Sequence, residues 1–186
     1  MGEGKPEGST HYCGIDTYKY INELINSAGD ILIVSPYIDS YYAKMLSDSC
    51  SGRKFYIIAS SIEQEVIRLL SGSKRPLMVV RYALLSVLLM SLSILYGLGW
   101  MLVVLSLIPA AVGMFKYLSG KRRMVLKVPR QFVHAKIYIS DRMAITGSAN
   151  LTYKGTHRNL EQISITYDSD EISRLRGQFW DMWHKL

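Results

Sequence analysis

A chain of 186 residues has the length of one ordinary domain, and its two cysteines, Cys13 and Cys50, stand in no CxxC or Cys/His spacing. That argues against a zinc site or a disulfide framework and leads us to expect reduced thiols in a cytoplasm-like compartment. The net charge of +7 gathers around Lys74 and Arg75, Arg81, Lys116, Lys121 to Arg123, Lys127 and Arg130, and suits anionic lipid headgroups or nucleic-acid phosphates.

Met1 to Thr10 are rich in Gly, Glu, Lys and Ser with no apolar run, so they form no secretory signal peptide, and a disordered leader is expected over 1–11. Ile15, Tyr18, Ile21, Leu24, Ile25 and Ala28 then recur at helical spacing up to Gly29 and Asp30. Strands are expected over Ile31 to Ile38 and Lys54 to Ala59, and a helix around Ile62 to Leu70. The tyrosines in this part, Tyr37, Tyr41 and Tyr42, read as scattered.

Between Arg81 and Lys116 thirty-four residues carry no charge. One helix of that length would span about 50 Å, beyond a hydrocarbon core of about 30 Å, whereas two helices fit. Gly97 and Gly99 divide the stretch into Leu77 to Tyr96 and Leu98 to Tyr117, with Tyr96 and Trp100 as interfacial anchors, Arg81 snorkelling and Pro109 kinking the second helix. The expectation is a transmembrane helical hairpin over 75–120 in a two-span protein of the cell membrane. Basic flanks on both sides place the two ends, and the domain they belong to, on the cytoplasmic face with the lipid bilayer as partner.

Further strands are expected at Met124 to Val128, 133–139, Ala144 to Thr146 and Gln162 to Tyr167, followed by a helix from about Asp170. Alternating strands and helices give an α/β sandwich with a mixed sheet, split by the insert into 12–74 and 121–186. On a strand, His134, Lys136 and Tyr138 share one face. An imidazole can act as nucleophile or general acid, and a neighbouring ammonium can hold an anionic phosphoryl oxygen. Ser148 and Asn150 add neutral donors beside Gly147, which permits close backbone approach.

His134, Lys136 and Asp141 follow the pattern His-x-Lys-x4-Asp, and Gly147, Ser148 and Asn150 follow Gly-Ser-x-Asn; together they resemble the phospholipase D superfamily. Asn159 and Glu161, the tail from Phe179 to Trp183, and Ile31 to Asp39 also fall where that family places its counterparts. The spacer from Asp141 to Gly147 is about one residue shorter than in many members, implying a tighter hairpin, and the chain carries one motif where the family's site uses two. The resemblance therefore implies a homodimer, as in the small endonucleases of the family. His134 of one copy would attack phosphorus and His134 of the other would protonate the leaving oxygen. Lys136, Gly147, Ser148 and Asn150 would bind substrate, Glu161 would orient the imidazole, and Asp141 would support the site. No cofactor or metal is implied. The expected substrate is nucleic acid, the alternative a membrane phospholipid, and a third reading is an inactive membrane scaffold.

Overall fold

A computed structural model describes residues 8–50, 53–70, 75–96, 105, 107–119 and 124–186. The chain divides into two units, residues 1–71 with 123–186, and residues 72–122.

The first unit is built on a mixed seven-stranded sheet in the order β1-β7-β6-β5-β2-β3-β4. Its strands are β1 (Ser9–Gly14), β2 (Ile31–Val34), β3 (Phe55–Ile58), β4 (Met124–Lys127), β5 (Ile137–Ile139), β6 (Ala144–Gly147) and β7 (Glu161–Thr166). β2, β3 and β4 run parallel, while β5, β6, β7 and β1 follow one another antiparallel. The four residues of β2 are wholly buried because both faces of this central strand are covered, which its unbroken Ile-Leu-Ile-Val run anticipates. Ile31 and Ile33 join a core that includes residues of α1 (Tyr18–Asn26), α2 (Ser40–Ser49) and α3 (Gln64–Leu70). Leu32 and Val34 join Ile172, Leu175 and Phe179 of the C-terminal helix (Ser169–Lys185) on the other face.

Three local expectations change here. β1 starts at Ser9, inside the stretch expected as a disordered leader, because its backbone pairs with β7 from Ser9↔Thr166 to Gly14↔Glu161; Met1 to Glu7 lie outside the described residues. The first helix begins at Tyr18, not near Ile15, which is exposed. A short helix, Tyr153–His157, follows Asn150 and had no periodic signature, being only five residues long. The tight β5–β6 hairpin is present, closed by Ser140 N donating to Met143 O at 2.9 Å.

In the second unit α4 (Arg75–Leu95) and α5 (Ile108–Ser119) pack together. Ala110 N donates to Ser86 Oγ at 2.9 Å. Gly113 lies so close to Tyr82 that an added Cβ would stand 2.7 Å from that ring's Cβ, so the crossing needs glycine. The expected transmembrane hairpin is corrected: among the described residues no helix is long and apolar enough to cross a membrane. The charge-free part of α4 runs only from Tyr82 to Leu95, fourteen residues or about 21 Å. α5 has twelve residues, about 18 Å, and starts at Ile108 with Pro109 in its first helical turn, where proline is tolerated. Pro109 thus opens a helix and does not kink one. The two-span, cell-membrane placement falls with the hairpin. The dividing turn at 97–100, with Trp100, lies outside the described residues.

With the last two helices named α6 (Tyr153–His157) and α7 (Ser169–Lys185), one end of the sheet collects the chemistry. β5 starts there, β6 ends there and β7 starts there, as the pairs Ile137↔Thr146 and Gly147↔Ile163 require.

Candidate active site

The strand carrying the motif is shorter than expected: ladder pairing covers Ile137 to Ile139, and His134 to Lys136 run into it. Period-two alternation still holds. Val133, Ala135 and Ile137 pack toward α7, while Tyr138 packs toward α1 and α2. His134 is exposed, whereas Lys136 is buried with its Nζ 3.0 Å from His134 Nε2 and 3.3 Å from Nδ1, donating also to His134 O at 2.8 Å. Burial holds the Lys136 ammonium below the ordinary lysine range, and the negative charge of Glu161 opposes that shift.

Tyr138 does not extend this open polar face. Its ring is buried, its hydroxyl donates to Ala149 O at 2.8 Å, and burial pushes its phenol far above the usual range. Ser35 Oγ accepts from Leu151 N at 2.9 Å, and Leu151 O accepts from Asp39 N at 3.3 Å. These bonds fix the backbone on both sides of Asn150, making Tyr138 and Ser35 positioning residues that the motif did not reveal. Asn150 Oδ1 is buried with no hydrogen-bond partner among the described residues.

Ser148 and Glu161 are joined directly, the Ser148 hydroxyl donating to Glu161 Oε2. Glu161 Oε1 accepts from Asn159 Nδ2 at 3.1 Å, and Gln162 N donates to Ser148 Oγ at 3.0 Å. The Glu161 carboxylate, nearly buried, thus holds Ser148 and Asn159. Gly147 has its own reason to be glycine. A Cβ there would lie 2.2 Å from Gln162 O, so the close approach it permits is to the backbone of β7.

Asp141 is not brought to this cluster. It lies past the far end of β5, where Arg176 of α7 pairs with it at 2.6 Å and its carboxylate covers Gly29. His134, Lys136, Gly147, Ser148, Asn150 and Glu161 stand at one end of the sheet, and Asp141 stands at the other because β5 separates them. Among the described residues no group of three or more His, Cys, Asp or Glu could hold a metal ion.

A family model described as "Cardiolipin synthase, PLD-like domain" matches residues 20–183. Among curated proteins none matches. Of solved structures, the phospholipase D family member Nuc from Salmonella typhimurium is similar with a TM-score of 0.57 at 14% identity, covering 95% of each chain. NucT from Helicobacter pylori gives 0.54 at 14% identity over 95% of this chain and 96% of that one. TrmBL2, an archaeal chromatin protein, gives 0.52 at 13% identity over 96% of this chain, which spans only 53% of that protein. At such identities these likenesses are of fold. The family match covers strands β2 to β7 and the end of the sheet just described, and with it the chain belongs to the phospholipase D superfamily as a phospholipase D-like phosphodiesterase.

Proposed function

We propose that the domain hydrolyses phosphodiester bonds of nucleic acid through a phosphohistidine, in a site completed by a second copy of the chain. The observation that carries this is the single available imidazole. Of the four histidines, only His134 stands beside Lys136. His157 is stacked between Tyr18 and Tyr153 and bonded to Thr156 Oγ1, His11 lies on edge strand β1, and His184 packs beside Trp180 on α7. Attack and leaving-group protonation need two imidazoles, so the second comes from another copy.

His134 Nε2 forms a bond to phosphorus as the bond to the leaving oxygen breaks, and the imidazolium of the second copy gives that oxygen its proton. Water then attacks phosphorus, yields a proton to the same imidazole, and displaces His134. Lys136 neutralises the non-bridging oxygens, with Ser148 and Asn150 as neutral donors. Likeness to Nuc and NucT over nearly their whole length supports the nucleic-acid substrate, as does the single-motif layout of the family's small endonucleases.

A phospholipid substrate is the second reading. It is favoured by the matching family model's description and by the fold of phosphatidylserine synthase from Haemophilus influenzae, similar with a TM-score of 0.52 at 12% identity over 36% of that protein. Purified wild type and His134→Asn should be assayed on single-stranded DNA and on radiolabelled phosphatidylglycerol. Cleavage of DNA by wild type alone supports the first reading, and turnover of lipid alone replaces it with the second.

A further inference from the structure

Beside the nucleophile lies an aromatic pair that the reaction does not use. Phe132 and Tyr37 are 52% and 44% exposed, and their ring centroids are 6.1 Å apart at an angle of 56°. The Phe132 ring stands 6.2 Å from the imidazole of His134. Rings without a packing role are ordinarily mobile, yet these two are mounted on a clamp. Ser60 Oγ accepts from Val133 N at 2.8 Å and donates to Val133 O at 3.1 Å, fixing the residue between Phe132 and His134. The next residue, Ser61, bridges Tyr37 and donates from its N to Pro36 O at 2.9 Å. One dipeptide after β3 therefore sets the nucleophile and both rings in a common frame.

A second aromatic group differs in kind. Tyr18, His157 and Tyr153 stack face to face at 4.3 Å with angles of 6° and 14°, so the facing surfaces of their rings are occupied by one another. Phe132 and Tyr37 are instead tilted to each other and about half exposed. Val133 packs toward α7, so alternation turns Phe132 and His134 to the same side.

We infer that Phe132 and Tyr37 form a subsite that stacks an unpaired base of the nucleotide flanking the scissile phosphate, making the enzyme selective for single strands. This rests on the nucleic-acid reading above. A base is one sugar away from its phosphate, comparable to the step from imidazole to Phe132. Open aromatic faces bind any base by stacking, whereas a paired base keeps its faces inside the duplex. The exposed Arg130, two residues before Phe132, adds a cation for the flanking backbone.

The test compares wild type, Phe132→Ala, Phe132→Trp and Tyr37→Ala on a single-stranded oligonucleotide, its duplex, and the same strand made abasic around the cleavage site. Phe132→Ala should raise KM on the ordinary strand about tenfold with kcat little changed. Phe132→Trp should restore it, and the abasic strand should show the same KM for every variant. Equal losses on ordinary and abasic strands, or alanine variants that fall to monomers in light scattering, would overturn the subsite while leaving the nuclease reading intact. A wild type that cleaves no DNA would remove both.

Discussion

Asp141 accepts a hydrogen bond from Arg176 at 2.6 Å at the end of β5 remote from His134, although the two residues belong to one sequence motif. The pair ties the β5–β6 turn to α7, and the Asp141 carboxylate fills the space where a side chain at Gly29 would lie, a position whose φ of +89° also favours glycine. The motif thus places His134 and Asp141 at opposite ends of one strand.

Asp141→Asn should leave kcat/KM unchanged. The pair is partly exposed, 53% on Asp141 and 28% on Arg176, so breaking it should lower the unfolding free energy by only about 0.2–1 kcal/mol in urea titrations. A loss of rate like that of His134→Asn would place Asp141 in the reaction after all.

Lys136→Gln should lower kcat by about 10²–10³-fold, because it removes the cation that meets the developing phosphoryl charge. Burial lowers the pKa of Lys136 from 10.5, so the ammonium discharges, and the rate should fall, at a pH below the ordinary lysine range. The folded state binds this proton less tightly than the unfolded state does. Stability linked to Lys136 therefore rises with pH between its lowered pKa and 10.5, and Lys136→Met should erase that rise.

Glu161→Ala leaves Ser148 and Asn159 without their shared acceptor and should destabilise the domain by about 1–3 kcal/mol. Glu161→Gln keeps an acceptor but removes the charge that holds the Lys136 pKa up. The alkaline limb of its rate profile should move to lower pH than in wild type, and a limb that stays in place would separate Glu161 from Lys136 electrically.

On the proposed two-copy site, mixing wild type with His134→Asn in equal amounts, with subunit exchange verified, should leave roughly a quarter of dimers active. Activity near half would show that each chain works alone.

Much of this was legible in the sequence because it is local. The types and order of His134, Lys136, Ser148 and Asn150 state the chemistry, and period-two alternation assigns Ala135 and Ile137 to one face. The apolar run in β2 marks that element from neighbours in the chain. The charge-free insert was legible only as a length. Arg81 interrupts its apolar character, and among the described residues no helix is both long and apolar enough to cross a membrane.

The sequence by itself determined the family and the mixed α/β architecture, since residue type and spacing survive without knowledge of distant partners. Only the tertiary structure decided that Tyr138 supports the backbone at Ala149, that Glu161 holds Ser148 and Asn159, and that Ser60 clamps Val133 beside Phe132. Each of those pairs is set by strand order and register, or by how loops meet at one end of the sheet. Strand order and register follow from burying both faces of β2 at once, a condition that no local stretch of chain can express.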